Sequence, residues 1–165
     1  MTETVLVARD ADEMRAIARD VIAPLLRAGD LVILTGDLGA GKTTFTQGLG
    51  GALGVRGPIA SPTFIIARAH PSEVEGPALI HVDAYRLRSL AELDDLDLDA
   101  TLDDSVTVVE WGEGAAETLS DDRLHVVITR SRGGELDMEH PDAGERVLTI
   151  TSHGARWADA PAVVR

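Results

Sequence analysis

The 165-residue sequence contains no cysteine, no asparagine and a single lysine, and aromatic residues make up only 3% of it. Without cysteine, the chain has no disulfide, no thiolate metal site and no cysteine nucleophile. It also lacks the run of about 20 apolar residues that a membrane-spanning helix needs. The first residues, Met-Thr-Glu-Thr-Val, do not show the basic and then apolar pattern of a signal peptide. We therefore expect a cytoplasmic protein that does not associate with membranes.

Positive charge is scarce as well. The chain has 15 Lys and Arg residues against 28 Asp and Glu residues, which gives a formal net charge of -13 at pH 7. Nucleic acids are held mainly by clustered Lys and Arg side chains, so we expect no strong direct binding of nucleic acid. The densest acidic stretches, 92–104 and 135–145, are interpreted as solvated loops and helix faces in preference to docking surfaces.

The one lysine, Lys42, lies in the sequence GDLGAGKT, which begins at Gly36 and matches the phosphate-binding pattern G-x-x-x-x-G-K-[ST] in full. Glycines let successive backbone N–H groups turn inward around phosphate oxygens. A lysine ammonium at this position reaches the β- and γ-phosphates, and the hydroxyl of Thr43 is placed to ligate Mg²⁺. An apolar strand pattern precedes the loop and a helix pattern follows it. The expected nucleotide-binding residues here are Asp37, Leu38, Gly39, Ala40, Gly41, Lys42, Thr43 and Thr44.

Hydrophobic periodicity, taken with the phosphate-binding motif, predicts an α/β fold of the P-loop NTPase type, with a mostly parallel central sheet flanked by helices and a C-terminal antiparallel hairpin. Asp10 and Glu13 form a capping-box pattern for a first helix, which Pro24 should kink or break. We expect one domain over residues 1–157 and a tail, 158–165, that is disordered. The predicted strands are 4–8, 31–34, 63–69, 78–82, 106–109, 123–129 and 146–151, with a polar linker at 70–77.

Two acidic residues directly follow apolar strand patterns. Asp83 follows the segment 79–82, and Glu110 follows the segment 106–109. In an open α/β sheet the carboxyl ends of the strands line the ligand crevice, and a P-loop needs both a carboxylate for Mg²⁺ and a group that orients the nucleophile. The pattern therefore indicates that Asp83 and Glu110 act with Lys42 in catalysis. A turn-capping aspartate and a solvated helix start are the alternatives.

Other residues give weaker indications of a functional role. The segment Ser61-Pro62-Thr63 could place the Thr63 hydroxyl near a γ-phosphate, although an ordinary turn would fit the same residues. Trp111 could stack on a nucleotide base or pack in the core. His81 is interpreted as structural. Arg86 and Arg88 could neutralise phosphate charge or form surface ion pairs.

Taken together, the motifs GDLGAGKTTF, SPTF, HVDAYRL, VVEWGE, RLHVVITR and SHGARW resemble those of the TsaE family (formerly YjeE). That family comprises the P-loop ATPases of bacterial tRNA threonylcarbamoyladenosine biosynthesis. The resemblance covers residues 10–157 and departs from the family pattern at Gly112, where proline is usual, and at Asp97, where glycine is usual. Neither departure touches the chemical positions.

The resemblance implies a set of functional expectations. The cofactors would be ATP and Mg²⁺, and the partner would be the TsaB–TsaD heterodimer, which modifies adenosine 37 of tRNA. Hydrolysis would reset or regulate that complex, and the protein would be a monomer when alone. Residue by residue, the family motifs match Lys42 and Thr43 in the loop, Thr63 in SPTF, Asp83 in H-x-D, and Glu110 with Trp111. Thr43, Asp83 and Glu110 would be the residues near Mg²⁺.

Three other classes of nucleotide-binding protein are alternatives to this interpretation. A regulatory GTPase requires N-K-x-D and D-x-x-G motifs, which the sequence lacks. A small-molecule P-loop kinase should have an Arg-rich lid after the P-loop helix, and no clear lid is present. A nucleotide-binding module without turnover would differ only in whether Glu110 and Asp83 support hydrolysis. Phosphate release with and without partner proteins separates these classes.

Overall fold

The computed structural model describes residues 2–37, 39–59, 67–84, 99–110, 120–130 and 144–158. Within these ranges the chain forms one seven-stranded sheet with the strand order β1-β7-β6-β2-β5-β4-β3. The strands are β1 (Thr2–Ala8), β2 (Leu31–Thr35), β3 (Ala67–His70), β4 (Ala78–Asp83), β5 (Ser105–Glu110), β6 (Arg123–Arg130) and β7 (Arg146–His153). The helices are α1 (Ala11–Ile17), α2 (Lys42–Leu53) and α3 (Asp99–Leu102).

The centre of the sheet is parallel and its edges are antiparallel. Strands β6, β2, β5 and β4 pair in parallel, in that order. At one edge β7 pairs antiparallel with both β6 and β1, and at the other β3 pairs antiparallel with β4. The predicted α/β fold, its parallel centre and its C-terminal hairpin are therefore confirmed. The antiparallel placement of β1 and β3 was not predicted.

The first helix begins where its sequence pattern indicates, but it loses its α-helical geometry before Pro24. The carboxylate of Asp10 caps α1 by accepting a 2.8 Å hydrogen bond from the backbone N–H of Glu13. The α-helix ends at Ile17, continues as a π-helix over Ala18–Ile22 and finishes as a 3₁₀ turn over Ala23–Leu25. The break predicted at Pro24 is thus present, because proline lacks the N–H that a regular helix requires.

Two apolar clusters cover the two faces of the sheet, because successive strand residues point to opposite faces. The larger cluster lies between the sheet and the helices α1 and α2. It includes Leu79, Val106, Val108, Val32 and Leu34 from the sheet, and Met14, Ile17, Phe45 and Leu49 from the helices. The smaller cluster, on the opposite face, contains Leu31, Ile33, Ile80, Val82, Ala84 and Val109. The helix α2 therefore packs on the sheet face to which the odd-numbered residues of β4 and the even-numbered residues of β5 point.

The end of β3 differs from the sequence-based expectation. His70 was placed in the polar linker, but it ends β3 and is buried. Its Nδ1 lies 2.9 Å from the carbonyl oxygen of Arg56, and this contact explains why a polar residue is accommodated there. The predicted strand segment 63–66 and residues 159–165 of the tail lie outside the described residues.

Arg156, near the C-terminal end of the described residues, binds the loop before β2. The guanidinium of Arg156 bonds both carboxylate oxygens of Asp30, at 3.2 and 3.1 Å, and the carbonyl oxygen of Leu25 at 2.9 Å. Its carbon centre also lies 4.1 Å from the ring centroid of Trp157. Because Asp30 directly precedes β2, this contact helps to fix the strand that leads into the glycine-rich loop. In the described part of the chain, no helix is long and apolar enough to cross a membrane.

Two glycines of α2 provide a matched test of the packing between α1 and α2. A Cβ at Gly48 would lie 2.5 Å from the carbonyl oxygen of Arg15 and 2.9 Å from the Cβ of Ala18, whereas a Cβ at Gly51 would have no atom within 4 Å. We expect Gly48→Ala to lower the free energy of unfolding by about 1–3 kcal/mol, because the helices must move apart. Gly51→Ala should raise it by about 0.5–1 kcal/mol, because alanine favours the helix. Denaturant unfolding measures both, and stabilisation by Gly48→Ala would contradict the close contact.

Candidate functional site

The glycine-rich loop connects the end of β2 to the start of α2. Gly39 and Gly41 have φ angles of 77° and 112°, in the left-handed region that residues with a Cβ rarely adopt. Gly41 is the N-cap of the 12-residue helix α2. The first N–H groups of a helix have no partner within the helix, and the helix dipole is positive at that end. The loop and the helix start therefore form a site suited to an anion, as the motif predicted.

Lys42 reaches back across this loop. Its Nζ donates hydrogen bonds to the carbonyl oxygens of Gly36, at 2.6 Å, and Asp37, at 3.1 Å. Burial lowers the pKa of the Lys42 ammonium, and the negative charges of Glu110, Asp83 and Asp37 oppose that shift. The ammonium group is thus held within the loop and in the electrostatic field of three carboxylates.

The two predicted strand-end acids are neighbours in the sheet. Asp83 and Glu110 are register partners at the ends of β4 and β5, and Glu110 is also the partner of Leu34 on β2. Both acids are buried. Register partners on parallel strands point to the same face, which here is the face that carries α2. The half-buried Thr43 belongs to the first turn of that helix. Lys42, Thr43, Asp83 and Glu110 therefore all lie at the end of the sheet formed by the carboxyl ends of the parallel strands.

A third polar residue of this face was interpreted as structural from the sequence. His81 is fully buried, and its Nε2 lies 3.1 Å from Oε1 of Glu110. The sequence carried a signal that could have placed His81 near the site, although not this contact: His81 and Asp83 are two residues apart on one strand and therefore point to the same face.

Two arginines of the C-terminal hairpin also contact the loop. Arg130 and Arg146 are register partners on β6 and β7. Arg146, which is buried, donates to the carbonyl oxygens of Ala40, at 3.1 Å, and Gly39, at 3.4 Å, and Arg130 donates to Gly39 at 3.2 Å. The C=O and N–H of one peptide unit point in opposite directions, so holding the Ala40 carbonyl also orients the N–H of Gly41. Sequence reasoning missed both arginines because they lie about 90 to 107 residues from the loop.

An open cavity lies beside the loop, between the start of α1 and the C-terminal hairpin. It is lined by Asp10, Ala11, Met14, Gly39, Ala40, Gly41, Thr44, Gly144 and Arg146. Thr44 and Gly41 connect this cavity to the anion site at the start of α2.

Several predicted positions lie outside the described residues. They are Leu38, Thr63, Trp111, Arg86 and Arg88. The roles suggested for them from the sequence stay predictions.

Comparison with known proteins places the chain in a family. Residues 8–137 match the family model described as "Threonylcarbamoyl adenosine biosynthesis protein TsaE". The tRNA threonylcarbamoyladenosine biosynthesis protein TsaE of Streptomyces coelicolor is 57% identical over 148 residues, which are 89% of this chain and 95% of that protein. The protein of the same name from Bacillus subtilis is 38% identical over 136 residues, covering 82% of this chain and 83% of that protein.

A solved structure agrees with this result. The crystal structure of Bacillus subtilis YdiB is similar with a TM-score of 0.70 and 32% sequence identity, and the match covers 94% of this chain and 89% of that one. The family model spans most of the chain, and the Streptomyces relative matches over nearly its whole length. The chain therefore belongs to the TsaE family, whose members are proteins of tRNA threonylcarbamoyladenosine biosynthesis.

Proposed function

We propose that this protein is a Mg²⁺-dependent ATPase that serves the threonylcarbamoyladenosine modification of tRNA in the cytoplasm. The observation that carries the proposal is the position of Lys42. Its ammonium group lies within the glycine-rich loop and in the field of Asp83 and Glu110, at the start of a helix suited to an anion. A phosphate-binding loop next to buried carboxylates is the arrangement that phosphoryl transfer to water requires.

The residues present fit both ATP and Mg²⁺. Backbone N–H groups at the start of α2 would hold phosphate oxygens, and the Lys42 ammonium would exchange its carbonyl partners for the β- and γ-phosphates. The Thr43 hydroxyl and the Asp83 carboxylate would hold Mg²⁺, directly or through water. When bound, Mg²⁺ neutralises the negative charge on the phosphate oxygens. Two buried carboxylates side by side also favour a nearby cation, because like charges in a poorly solvated place repel strongly.

The cavity beside the loop adjoins the proposed phosphate site. It begins at Thr44, one residue beyond the proposed Mg²⁺ ligand, and extends toward Met14 and Gly144. We assign the phosphates to the start of α2.

Glu110 is assigned to the attacking water. It lies next to Asp83 in register and close enough to Lys42 to affect its pKa, so its carboxylate faces the loop where the γ-phosphate would end. A buried carboxylate at this place can orient the water and accept its proton. In the alternative role, Glu110 is a ligand of Mg²⁺ at the same position. The Glu110→Gln variant distinguishes the two roles.

The route to tRNA is proposed to run through protein partners. The net charge of -13 disfavours tight binding of a polyanion by the isolated protein, which we expect to be a monomer. The partner would be the TsaB–TsaD heterodimer, and hydrolysis would reset or regulate that complex. ATP would raise the affinity for the partners, and linkage requires that the partners raise the affinity for ATP by the same factor.

The proposal is tested by phosphate release and two titrations. We expect slow release of phosphate by the protein alone and faster release with TsaB–TsaD. tRNA should bind the isolated protein weakly at physiological salt, and TsaB–TsaD should bind more tightly with a non-hydrolysable ATP analogue than with ADP. Tight binding of tRNA by the lone protein, or partner affinity that is indifferent to the nucleotide, would favour an RNA-directed or small-molecule kinase role.

Replacing the Thr43 hydroxyl should separate nucleotide binding from metal-dependent hydrolysis. We expect Thr43→Ala to keep part of its ATP affinity, because the backbone N–H groups remain, and to lose most Mg²⁺-dependent phosphate release. The matched control is Thr43→Ser, which keeps the hydroxyl and should retain most of the activity. Calorimetry measures the affinity and a phosphate assay the rate. Hydrolysis by Thr43→Ala at the parental rate would reject the role of the hydroxyl.

Replacing Glu110 distinguishes its two possible roles. Glu110→Gln keeps the shape of the side chain and an oxygen facing His81, but it removes the base. We expect unchanged affinity for ATP and Mg²⁺ and a loss of turnover on the order of 10²-fold or more. A variant that loses Mg²⁺ affinity and recovers its rate at saturating metal would make Glu110 a metal ligand instead. Asp83→Asn provides the comparison, since it should weaken Mg²⁺ binding first.

A further inference from the structure

The pair formed by His81 and Glu110 lies at the inner end of the proposed site. His81 is fully buried on β4, and Glu110, on the neighbouring strand β5, is only 4% exposed. The distance from Nε2 to Oε1, 3.1 Å, is that of a hydrogen bond. The register pairs His81 with Val108, so the ring reaches along the face of the sheet to the carboxylate two residues further on.

The chemistry of the pair determines where the proton of the imidazole lies. A carboxylate accepts hydrogen bonds and does not donate them when ionised, so Nε2 must be the donor. Nδ1 is buried and has no hydrogen-bond partner among the described residues. A neutral ring protonated on Nε2 donates to the carboxylate and leaves no buried N–H group without an acceptor. A ring protonated on Nδ1 would offer the carboxylate no N–H and would leave its own buried N–H group without an acceptor.

Packing alone does not explain a histidine at this position. Its neighbours on the same sheet face include two polar residues, Asp83 on β4 and Arg68 on β3. The other two neighbours, Leu79 on β4 and Val108 on β5, are apolar and fully buried. A leucine at position 81 would extend that apolar surface without leaving a ring nitrogen unpaired. The histidine thus introduces a polar group that the core does not require, and the polar group is directed at the one carboxylate of the neighbouring strand.

We propose that His81 is a positioning residue that fixes the orientation of the Glu110 carboxylate. The inference rests on the proposed ATPase function. A glutamate side chain has three rotatable bonds, and a hydrogen bond to Oε1 restricts them so that Oε2 can face the loop and the attacking water. Groups that orient a reacting side chain typically contribute on the order of 10-fold to 100-fold to activity, because small displacements of a reacting group are costly. His81 itself exchanges no proton with the substrate.

Two nearly isosteric amides test the role of Nε2. In His81→Gln the amide nitrogen can take the place of Nε2, whereas in His81→Asn it takes the place of Nδ1 and cannot reach Glu110. We expect the Gln variant to keep kcat within about threefold of the parent and the Asn variant to lose on the order of 10-fold or more. KM for ATP and the calorimetric affinity for an ATP analogue should be unchanged in both, since neither amide touches the nucleotide. Equal kcat values in the Asn and Gln variants would overturn the proposal.

A measurement on the nucleotide-free parent needs no variant to fold. Long-range ¹H–¹⁵N spectra of the histidine rings report which nitrogen carries the proton, and we expect His81 to be protonated on Nε2. Protonation on Nδ1 would overturn the proposal. If the parent hydrolyses no ATP with or without partners, the proposed function fails. The ring spectrum then still decides whether His81 and Glu110 are paired as inferred.

Discussion

The ammonium group of Lys42 is the charge around which the site is arranged. It is buried, and a buried charge must be paired or hydrogen-bonded to be tolerated. Two carbonyl oxygens of its own loop, at 2.6 and 3.1 Å, accept its protons, and the charges of Asp83 and Glu110 favour its ionised form. The loop is therefore closed around the cation, and in the proposed function these two contacts are the ones that a phosphate would replace.

The parallel centre of the sheet explains how two acids come to lie near this cation. β4 and β5 run parallel to each other and to β2. The carboxyl ends of all three strands therefore lie at the end of the sheet from which the glycine-rich loop leaves β2. Register then places Asp83 beside Glu110, and the two-residue repeat of β4 places His81 on the same face. One geometric property of parallel strands thus brings together the proposed metal ligand, the residue proposed to handle the water and the residue proposed to orient it.

The C-terminal hairpin formed by β6 and β7 contributes to the same site from the opposite side of β2. β6 continues the parallel centre, and β7 returns beside it, which brings Arg130 and Arg146 against the carbonyl groups of the loop. An arginine that holds a carbonyl also orients the N–H of the same peptide unit. The hairpin therefore helps to pre-organise the loop, and Arg146 also lines the cavity beside it.

The sequence by itself determined the features that depend on neighbouring residues: the glycine-rich loop, the cap at Asp10, the helix break at Pro24 and most strand positions. These follow from backbone freedom, short-range hydrogen bonds and hydrophobic periodicity, which act over a few residues. Strand order and register were decided only by the tertiary structure, because they depend on how whole faces pack together. For that reason the contacts of His81 with Glu110, 29 residues away, and of Arg146 with Ala40, 106 residues away, could not be found by reading along the chain.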